Sequence, residues 1–397
     1  MNGNSPGVAD ALRRFGDALV RTHRARTVLA RLRDCGTAAL GGHVWRCTTC
    51  DHQRIAYNSC RDRHCPRCLG NRSRQWLDQR LAELLPVPHF HVVFTLPEEL
   101  RPIALGNPRA LYTLLFDVAA STLATIGRDP KHLGAKLGFF GILHTWGQSL
   151  DYHPHVHFVV PGGGLALDGE AWVPSRARFL VSARVLAALY RRRLLEGLEA
   201  LRIDGSIDLP LDLREPNRWK RLLRRLRRKK WVVHLKEPFA TPARVLEYLA
   251  RYTHRVAIAD GRIRSIDDDG VRFDYKCYRT GRRGVMRLAG QEFVRRFALH
   301  VLPERFVRIR YYGFLAHRGR HAHLELCRRL IEGGDHAVVE TDPAANPSTS
   351  SDAGEASEPS APCCPRCQGR MVRLYEVARR ATFPRKRSVG RAPPTPA

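Results

Sequence analysis

The segment 151–164 of this 397-residue chain reads DYHPHVHFVVPGGG. Histidines alternate with other residues before an apolar run and a glycine triplet, which predicts a β-strand that ends at the glycines. Side chains two residues apart share one face of a strand, so His155 and His157 lie side by side, and His153 joins them if the strand includes Pro154. Two or three imidazoles on one face can bind a divalent cation and leave positions open for substrate oxygens. The alternative is ordinary surface or core histidines.

Predicted strands and helices surround this segment. Alternating, β-rich runs predict strands at 89–96 and 138–147, and short runs between turns predict a meander over 255–288. Apolar residues at helical spacing predict helices over 8–34, 72–85, 111–126, 183–201, 218–230, 241–252 and 291–299.

Two tyrosines, Tyr248 and Tyr252, are four residues apart in YLARYTHR. In the helix predicted there, this spacing places both phenols on one face, where they can reach one site in turn. The alternative is an amphipathic core stripe shared with Val245, Leu246 and Leu249. The catalytic interpretation depends on the nearby histidines and on the basic charge of the chain.

Six of the eleven cysteines fall within a short N-terminal window. Two of the turns there have the form Cys-x2-Cys, and together they predict one structural, four-thiolate zinc site. Its ligands would be Cys47, Cys50, Cys65 and Cys68. Other nearby side chains, which could replace a ligand or help to hold a second ion, are Cys35, His43, Cys60 and His64. The alternative is a metal-free set of reduced, buried cysteines.

The C-terminal part of the chain has two distinct compositions. Residues 341–362 contain no aromatic residue, no lysine and no arginine, which predicts a disordered acidic linker. Residues 363–397 form a basic tail in which Cys364 and Cys367, with Cys363 beside them, make half of a metal site. That half needs partners from elsewhere in the chain or from a second chain.

The charge balance indicates a polyanionic partner. The chain has 67 Lys and Arg against 38 Asp and Glu, a net charge of +29, which favours nucleic acid or an anionic membrane surface. No apolar run approaches the ~20 residues of a membrane span, and the N-terminus lacks a signal-peptide core, so a soluble intracellular protein is expected. Predicted phosphate contacts are Arg218, Lys220, Arg221, Arg224 and Arg225 in a basic helix, together with Arg251. The alternative for that helix is a solvated face.

Five segments, taken in chain order, carry a resemblance to a known family. They are SCRDRHCPRC, VVFTLP, LDYHPHVHFVVPGGG, YLARYTHRVAI and FVRIRYYGFLA. The order resembles that of the two-tyrosine, rolling-circle transposases of bacterial insertion sequences, the IS-ninety-one group of the HUH (His-hydrophobic-His) endonuclease superfamily. The resemblance runs from about residue 10 to 320 and leaves the tail uncovered.

The resemblance implies an α+β fold. Its HUH core is an antiparallel sheet with packed helices, with the two histidines on a central strand, and a small Cys-rich, zinc-binding DNA-recognition domain precedes it. The expected boundaries are 8–85 for the first helix with the zinc-binding domain, 86–320 for the catalytic domain, 341–362 for the linker and 363–397 for the tail.

The resemblance also implies the chemistry. His155 and His157 would bind Mg²⁺ or Mn²⁺. The resemblance does not give the third protein ligand, for which His153, His144 and Gln148 are the candidates, in that order. Tyr248 and Tyr252 would cut single-stranded DNA at the ends of the element, leaving a 5′-phosphotyrosine and a free 3′-OH. The two tyrosines would let one active site hold the donor and target strands in successive transfers. Such a protein would act in the bacterial cytoplasm, at the nucleoid.

Three other functions remain open from the sequence. A replication initiator or relaxase would use the same HUH chemistry. A zinc-dependent DNA-binding regulator without enzymatic activity would use the tyrosines and histidines as core residues. A His-x-His metal hydrolase acting on small molecules would leave the net charge of +29 unexplained.

Overall fold

The computed structural model describes residues 6–176, 179–236, 256–277, 280–316, 318–333 and 362–379. Helices pack against antiparallel sheets in these residues, which confirms the predicted α+β class. The predicted helix over 241–252 and almost all of the predicted linker fall outside the described residues.

The helices are α1 Val8–Phe15, α2 His23–Arg33, α3 Leu69–Ala82, α4 Arg101–Gly106, α5 Pro108–Arg128, α6 Ala183–Ile203, α7 Pro216–Arg228, α8 Gly290–Ala298 and α9 Arg320–Glu332. The strands are β1 Gly42–Cys47, β2 Gln53–Tyr57, β3 His89–Thr95, β4 Ala135–Lys136, β5 Phe139–Trp146, β6 Tyr152–Pro161, β7 Gly163–Ala166, β8 Trp172–Pro174, β9 Val233–Lys236, β10 Ile263–Asp267, β11 Gly270–Lys276, β12 Arg283–Leu288, β13 Ile309–Tyr312 and β14 Met371–Val377.

A five-stranded antiparallel sheet, in the order β13-β5-β6-β3-β9, forms the centre of the fold. One of its faces is apolar and packs on α5 and α6. Phe94 on β3 meets Phe158 on β6 edge to face at 5.9 Å between ring centroids, and Tyr190 of α6 at 5.0 Å. Such burial of large apolar side chains is the main stabilising contribution to a core. The opposite face carries His155 and His157.

A second hydrophobic core combines residues from the start of the predicted zinc-binding range with residues from the end of the predicted catalytic range. Val28 and Leu29 of α2 pack with Phe273 of β11 and with Phe293 and Phe297 of α8. The predicted ranges 8–85 and 86–320 therefore share one hydrophobic core, and the helices that begin the chain depend on the meander for their packing.

Two local predictions are wrong for backbone reasons. The helix predicted over 8–34 is two helices, because Gly16 ends α1 with φ of 65° and Thr22 caps the start of α2 through its hydroxyl. Residues 256–259, predicted as part of the meander, form no strand. Ala257 has φ of 62°, which an extended strand does not allow.

Among the described residues, α5 alone is long and apolar enough to cross a membrane. Its residues Leu115, Phe116 and Leu123 are fully buried against the central sheet and its neighbouring helices. In this fold, α5 is therefore a core helix.

Candidate active site and metal centres

Three histidines meet on the face of the central sheet that lies opposite α5 and α6. His155 and His157 are on β6, and His144 on β5 lies directly opposite His155 in the antiparallel register. One ring nitrogen of each lies within 4.8 Å of those of the other two. The alternation of β6 and its pairing with β5 thus bring two predicted ligands together and add His144. Three imidazoles at this distance fit a single divalent cation with open coordination positions.

Hydrogen bonds fix the orientation of the two HUH rings. His155 Nδ1 donates to the backbone carbonyl of His153 at 2.6 Å, so its Nε2 is left as the ligand atom. His157 Nδ1 shares a hydrogen bond of 2.7 Å with His91 Nε2 on β3. His157 Nε2 is buried and has no hydrogen-bond partner among the described residues. A buried ring nitrogen without a hydrogen-bond partner is what a metal ligand shows when its metal ion is not counted among its partners.

The electrostatic setting keeps these imidazoles neutral. Burial, followed by the charges of neighbouring histidines, lowers the pKa of His155 to about 3 and moves the pKa of His157 well below its usual range. Burial also lowers the pKa of His91 to about 3. Neutral imidazole has the free lone pair that a metal requires, so no proton has to be displaced near neutral pH.

His153, the first choice as third ligand, is not in this group. Its Nδ1 accepts a hydrogen bond of 3.0 Å from Nη2 of Arg101, at the start of α4. Because the guanidinium can only donate, Nδ1 of neutral His153 is the acceptor and its ring proton lies on Nε2, so neither nitrogen offers a free lone pair to a metal. The predicted preference for His153 over His144 is therefore corrected.

A cleft continues from the histidine group. Trp146 stacks on His144, with ring centroids 4.7 Å apart. Together with Gln148 it lines a cleft whose other walls include Ala257, Arg262 and Tyr275. Aromatic and basic side chains side by side suit the bases and phosphates of a single strand.

Tyr248, Tyr252 and Arg251 lie outside the described residues. The described chain stops at Lys236 on β9, the cross-strand partner of His91, and resumes at Val256, next to the cleft-lining Ala257. Both ends of that segment thus border the histidine side of the sheet.

Four cysteines form the inner cysteine group, Cys35, Cys60, Cys65 and Cys68. The Sγ atom of Cys35 lies 3.5 Å from that of Cys68 and 3.6 Å from that of Cys65, and Cys60 lies 3.6 Å from Cys68. Cys35 and Cys65 are buried in the second core.

Another four form the outer cysteine group, Cys47, Cys50, Cys364 and Cys367. The single site predicted from Cys47, Cys50, Cys65 and Cys68 is therefore corrected: its two turns belong to different groups. In the inner group, Cys65 and Cys68 are joined by Cys35 and Cys60. In the outer group, Cys47 and Cys50 are joined by the Cys-x2-Cys turn of the tail. Local spacing does not specify which turns combine.

His64 and His43 belong to neither group. His64 Nδ1 bonds to Asp62 Oδ1 at 2.8 Å, and its Nε2 accepts from the backbone N–H of Leu302 at 3.1 Å. With both ring nitrogens engaged, His64 joins the cysteine-rich segment to the chain after α8 rather than binding metal.

The basic helix α7 is amphipathic. Its apolar side, which includes Trp219 and Leu226, is buried. Every predicted phosphate contact on it is exposed: Arg218, Lys220, Arg221, Arg224 and Arg225. Arg218 pairs with Glu215 at 3.3 Å and Arg225 with Glu99 at 3.8 Å, so part of the positive charge is offset within the protein.

Comparison with known proteins places the chain in a family. Residues 138–322 match a family model described as "Putative transposase", and residues 10–96 match "Transposase zinc-binding domain". The "Putative transposase y4qJ" of Sinorhizobium fredii (strain NBRC 101917 / NGR234) is 51% identical over 85% of this chain and 87% of its own length. The "Transposase for insertion sequence element IS801" of Pseudomonas savastanoi pv. phaseolicola is 32% identical over 72% of this chain and 68% of its own.

Among solved structures, the metal-bound conjugative relaxase TrwC in complex with oriT DNA is 15% identical, over 59% of this chain and 96% of that chain, with a TM-score of 0.26. The family matches and the two sequence relatives confirm the resemblance found in the sequence. The chain belongs to the transposases of the IS-ninety-one family of bacterial insertion sequences and carries their zinc-binding domain at its N-terminal end.

Proposed function

We propose that this transposase nicks and rejoins single-stranded DNA at insertion-sequence ends and at the target through a 5′-phosphotyrosine intermediate. Tyr248 and Tyr252 are the two nucleophiles, and the protein acts at the nucleoid in the bacterial cytoplasm. The observation that carries the proposal is the group of His144, His155 and His157, which in a transposase can hold a divalent ion beside a DNA phosphate.

Mg²⁺ or Mn²⁺ fits these three residues as the catalytic ion. Three neutral imidazoles leave coordination positions for phosphate oxygens and water, and nitrogen ligands favour Mn²⁺ over Mg²⁺. When bound, the ion polarises the scissile phosphate and stabilises the charge that develops on its oxygens. His91 and the His153 carbonyl hold the His157 and His155 rings in the orientation that this requires.

The cleavage step conserves bond energy. A tyrosine Oη attacks the phosphorus, the bond from phosphorus to the 3′ oxygen breaks, and that oxygen takes a proton to become the free 3′-OH. The phenol, whose usual pKa is about 10, gives up its proton in the same step. Since the phosphotyrosine ester replaces one phosphodiester linkage with another, the reverse attack by a 3′-OH rejoins DNA without ATP.

The ends of the segment that holds the tyrosines support their assignment. Lys236 precedes the segment and pairs with His91, which is hydrogen-bonded to His157. Ala257 follows it and lines the cleft with Trp146. A segment tied at both ends to this side of the sheet can bring a phenol to the ion.

Positive charge guides the substrate to the site. The exposed arginines and lysine of α7 contact the phosphate backbone, and Arg262 with Lys276 lines the cleft. Such contacts supply affinity without reading sequence.

The test is a nicking assay with end-labelled single-stranded DNA from the ends of the element. The double variant Tyr248→Phe with Tyr252→Phe should fold and bind DNA but form no boiling-resistant protein–DNA band, because each ring keeps its volume and loses only its hydroxyl. Each single variant should still cut but fail to complete strand transfer. A covalent band from the double variant would contradict the proposal.

The same assay distinguishes the enzyme from the DNA-binding regulator considered above. A regulator would form no covalent protein–DNA band, even with the parent protein. Membership of the transposase family favours transposition over the initiator and relaxase functions that share HUH chemistry.

A further inference from the structure

The tail returns to the N-terminal end of the chain. Residues 362–379 follow a stretch, 334–361, that lies outside the described residues. Within the tail, β14 pairs antiparallel with β1, from Gly42 opposite Val377 to Cys47 opposite Met371. The backbone N–H of Thr48 also donates to the carbonyl of Arg370 at 3.0 Å. The two family matches end at residues 96 and 322, so β14 lies outside both of them, whereas its partner β1 lies within the zinc-binding match.

The two Cys-x2-Cys turns at this junction face each other. Cys367 Sγ lies 3.4 Å from Cys47 Sγ and 3.4 Å from Cys50 Sγ, and Cys50 Sγ lies 3.6 Å from Cys364 Sγ. Sulfur atoms bonded to one zinc ion at about 2.3 Å in a tetrahedron are about 3.8 Å apart, whereas a disulfide requires about 2.0 Å. All four are free cysteines, and their separations of 3.4–3.6 Å are much closer to those of a zinc site than to a disulfide.

Both turns also have the same backbone pattern. The N–H of Thr49 donates to Cys47 Sγ at 3.4 Å, and the N–H of Arg366 donates to Cys364 Sγ at 3.4 Å. In each turn the donor is the second residue after the first cysteine. N–H donors aimed at sulfur stabilise the thiolate that zinc needs.

Apolar packing at the junction is small. Its buried cluster consists of Cys47, Cys364 and Met371, with Trp45 packed beside them. So small an apolar area holds a separate segment only weakly, and small units of this kind usually depend on a metal or a disulfide. The N-terminal side is shaped for the tail, because Gly41 has φ of 70° and a Cβ there would lie 2.5 Å from the Val377 carbonyl oxygen.

We propose that Cys47 and Cys50 of the N-terminal domain and Cys364 and Cys367 of the tail bind a structural Zn²⁺ that fastens the two ends of one chain together. This zinc clasp is separate from the inner cysteine group and does not depend on the proposed DNA chemistry. The N-terminal zinc-binding domain is then incomplete without the tail.

The first test is zinc content, measured by plasma mass spectrometry on the purified full chain. The parent should carry two zinc ions per chain, one in each cysteine group. Cys364→Ser with Cys367→Ser should lower the content to one, and so should Cys47→Ser with Cys50→Ser. The matched control Cys363→Ser, at an exposed cysteine outside both groups, should keep two. A tail-pair variant that retains two zinc ions overturns the proposal.

The second test measures whether the tail stays bound to the rest of the chain, and it does not need the N-terminal variant to fold. A specific protease site is placed within 346–356 of the full chain, and the cleaved protein is run on size-exclusion chromatography with light scattering. The tail fragment should stay with the body in the parent and separate from it in the Cys364→Ser, Cys367→Ser variant. Separation in the parent overturns the clasp. A parent of twice the chain mass that becomes a single chain in the variant overturns closure within one chain.

Discussion

The histidine group and the outer cysteine group are assembled in opposite ways. His144, His155 and His157 come from two adjacent strands of the central sheet, and ordinary strand pairing brings them together. The outer group joins Cys47 to Cys367, which are 320 residues apart along the chain. The histidine group lies on a sheet that is stable without it, so the loss of a ligand there should affect only metal binding and catalysis. The second site itself creates a contact between distant segments, so losing a ligand should affect where the tail lies.

The two cysteine groups differ in a second respect. Cys35 and Cys65 of the inner group are 1% and 2% exposed and belong to the second hydrophobic core. In the outer group, Cys47 and Cys364 are also buried, but in the small cluster with Met371, and Cys50 and Cys367 are exposed. The inner site is therefore coupled to the folding of α1, α2 and the meander, whereas the outer site is coupled only to the tail.

The largest effect should come from a histidine ligand. His157→Ala should lower the nicking rate by about a thousandfold or more, since one charge-stabilising group at a transition state contributes about 10²–10³. DNA binding should be largely kept, because surface charge supplies it. His155→Ala should behave in the same way.

The control for that experiment separates the two candidates for third ligand. His144→Ala should weaken Mn²⁺ binding strongly, while His153→Ala should change the nicking rate less than about tenfold. Equal losses from His144→Ala and His153→Ala, measured with the same labelled strand and titrated Mn²⁺, would contradict the assignment.

Stability should distinguish the inner from the outer cysteine group. Cys65→Ser should lower the free energy of unfolding by more than about 3 kcal/mol, because a metal ligand and a core residue are lost together. Cys50→Ser should lower it by less than about 1 kcal/mol, because only the tail is released. Urea unfolding of the zinc-loaded proteins measures both, and a Cys50→Ser variant as unstable as Cys65→Ser would remove the distinction.

Removing charge from α7 should have a moderate effect. Arg221→Gln with Arg224→Gln should weaken single-stranded DNA binding by about tenfold at low salt. The slope of log affinity against log salt should fall by about 1.4, or about 0.7 for each phosphate that an arginine no longer neutralises. Arg202→Gln is the matched control, since Arg202 already donates to Glu199 at 2.6 Å. Unchanged salt slopes would show that α7 is only a solvated face.

A structural histidine should affect only the pH dependence of stability. Burial lowers the pKa of His300 to about 4, and its ring bonds to Thr145 and to the Leu150 carbonyl. The unfolded chain has a histidine pKa near 6.5, so between pH 6.5 and 4 it binds the extra proton. The free energy of unfolding therefore falls with decreasing pH across this window, and this residue's share is up to about 1.4 kcal/mol per pH unit.

His300→Gln should reduce the slope of the free energy of unfolding against pH by up to about 1.4 kcal/mol per pH unit. It should leave the affinity for Mn²⁺ unchanged. Urea unfolding at pH 7, 6 and 5 measures the slope. Parallel slopes for the variant and the parent would show that folding does not lower the pKa of His300.

The central strands are predictable from sequence because their pattern is local. Alternation places β3, β5 and β6 to within about one residue of the expected bounds, and it puts His155 and His157 on one face. His144 is a single histidine in an otherwise apolar strand, and nothing local marks it. Only the register of β5 on β6 sets it opposite His155.

The cysteine grouping is not predictable in this way. Cys-x2-Cys turns are locally equivalent, so spacing cannot decide which two of them combine. The pairing of β14 with β1 determines that Cys364 and Cys367 join Cys47 and Cys50. The composition of the chain between these strands does not predict that pairing. The position of His64 among cysteines suggests a ligand, but its bonds to Asp62 and Leu302 depend on the packing of the second core.

The most direct test of the central claim is the identity of the tyrosine joined to DNA. The covalent complex is trapped on single-stranded DNA, treated with nuclease to leave a nucleotide, and digested with trypsin for mass spectrometry. Cleavage after Arg244, Arg251 and Arg255 separates Tyr248, in residues 245–251, from Tyr252, in residues 252–255. We expect the nucleotide adduct on these two peptides. An adduct on residues 273–276, which contain the cleft residue Tyr275, would contradict it.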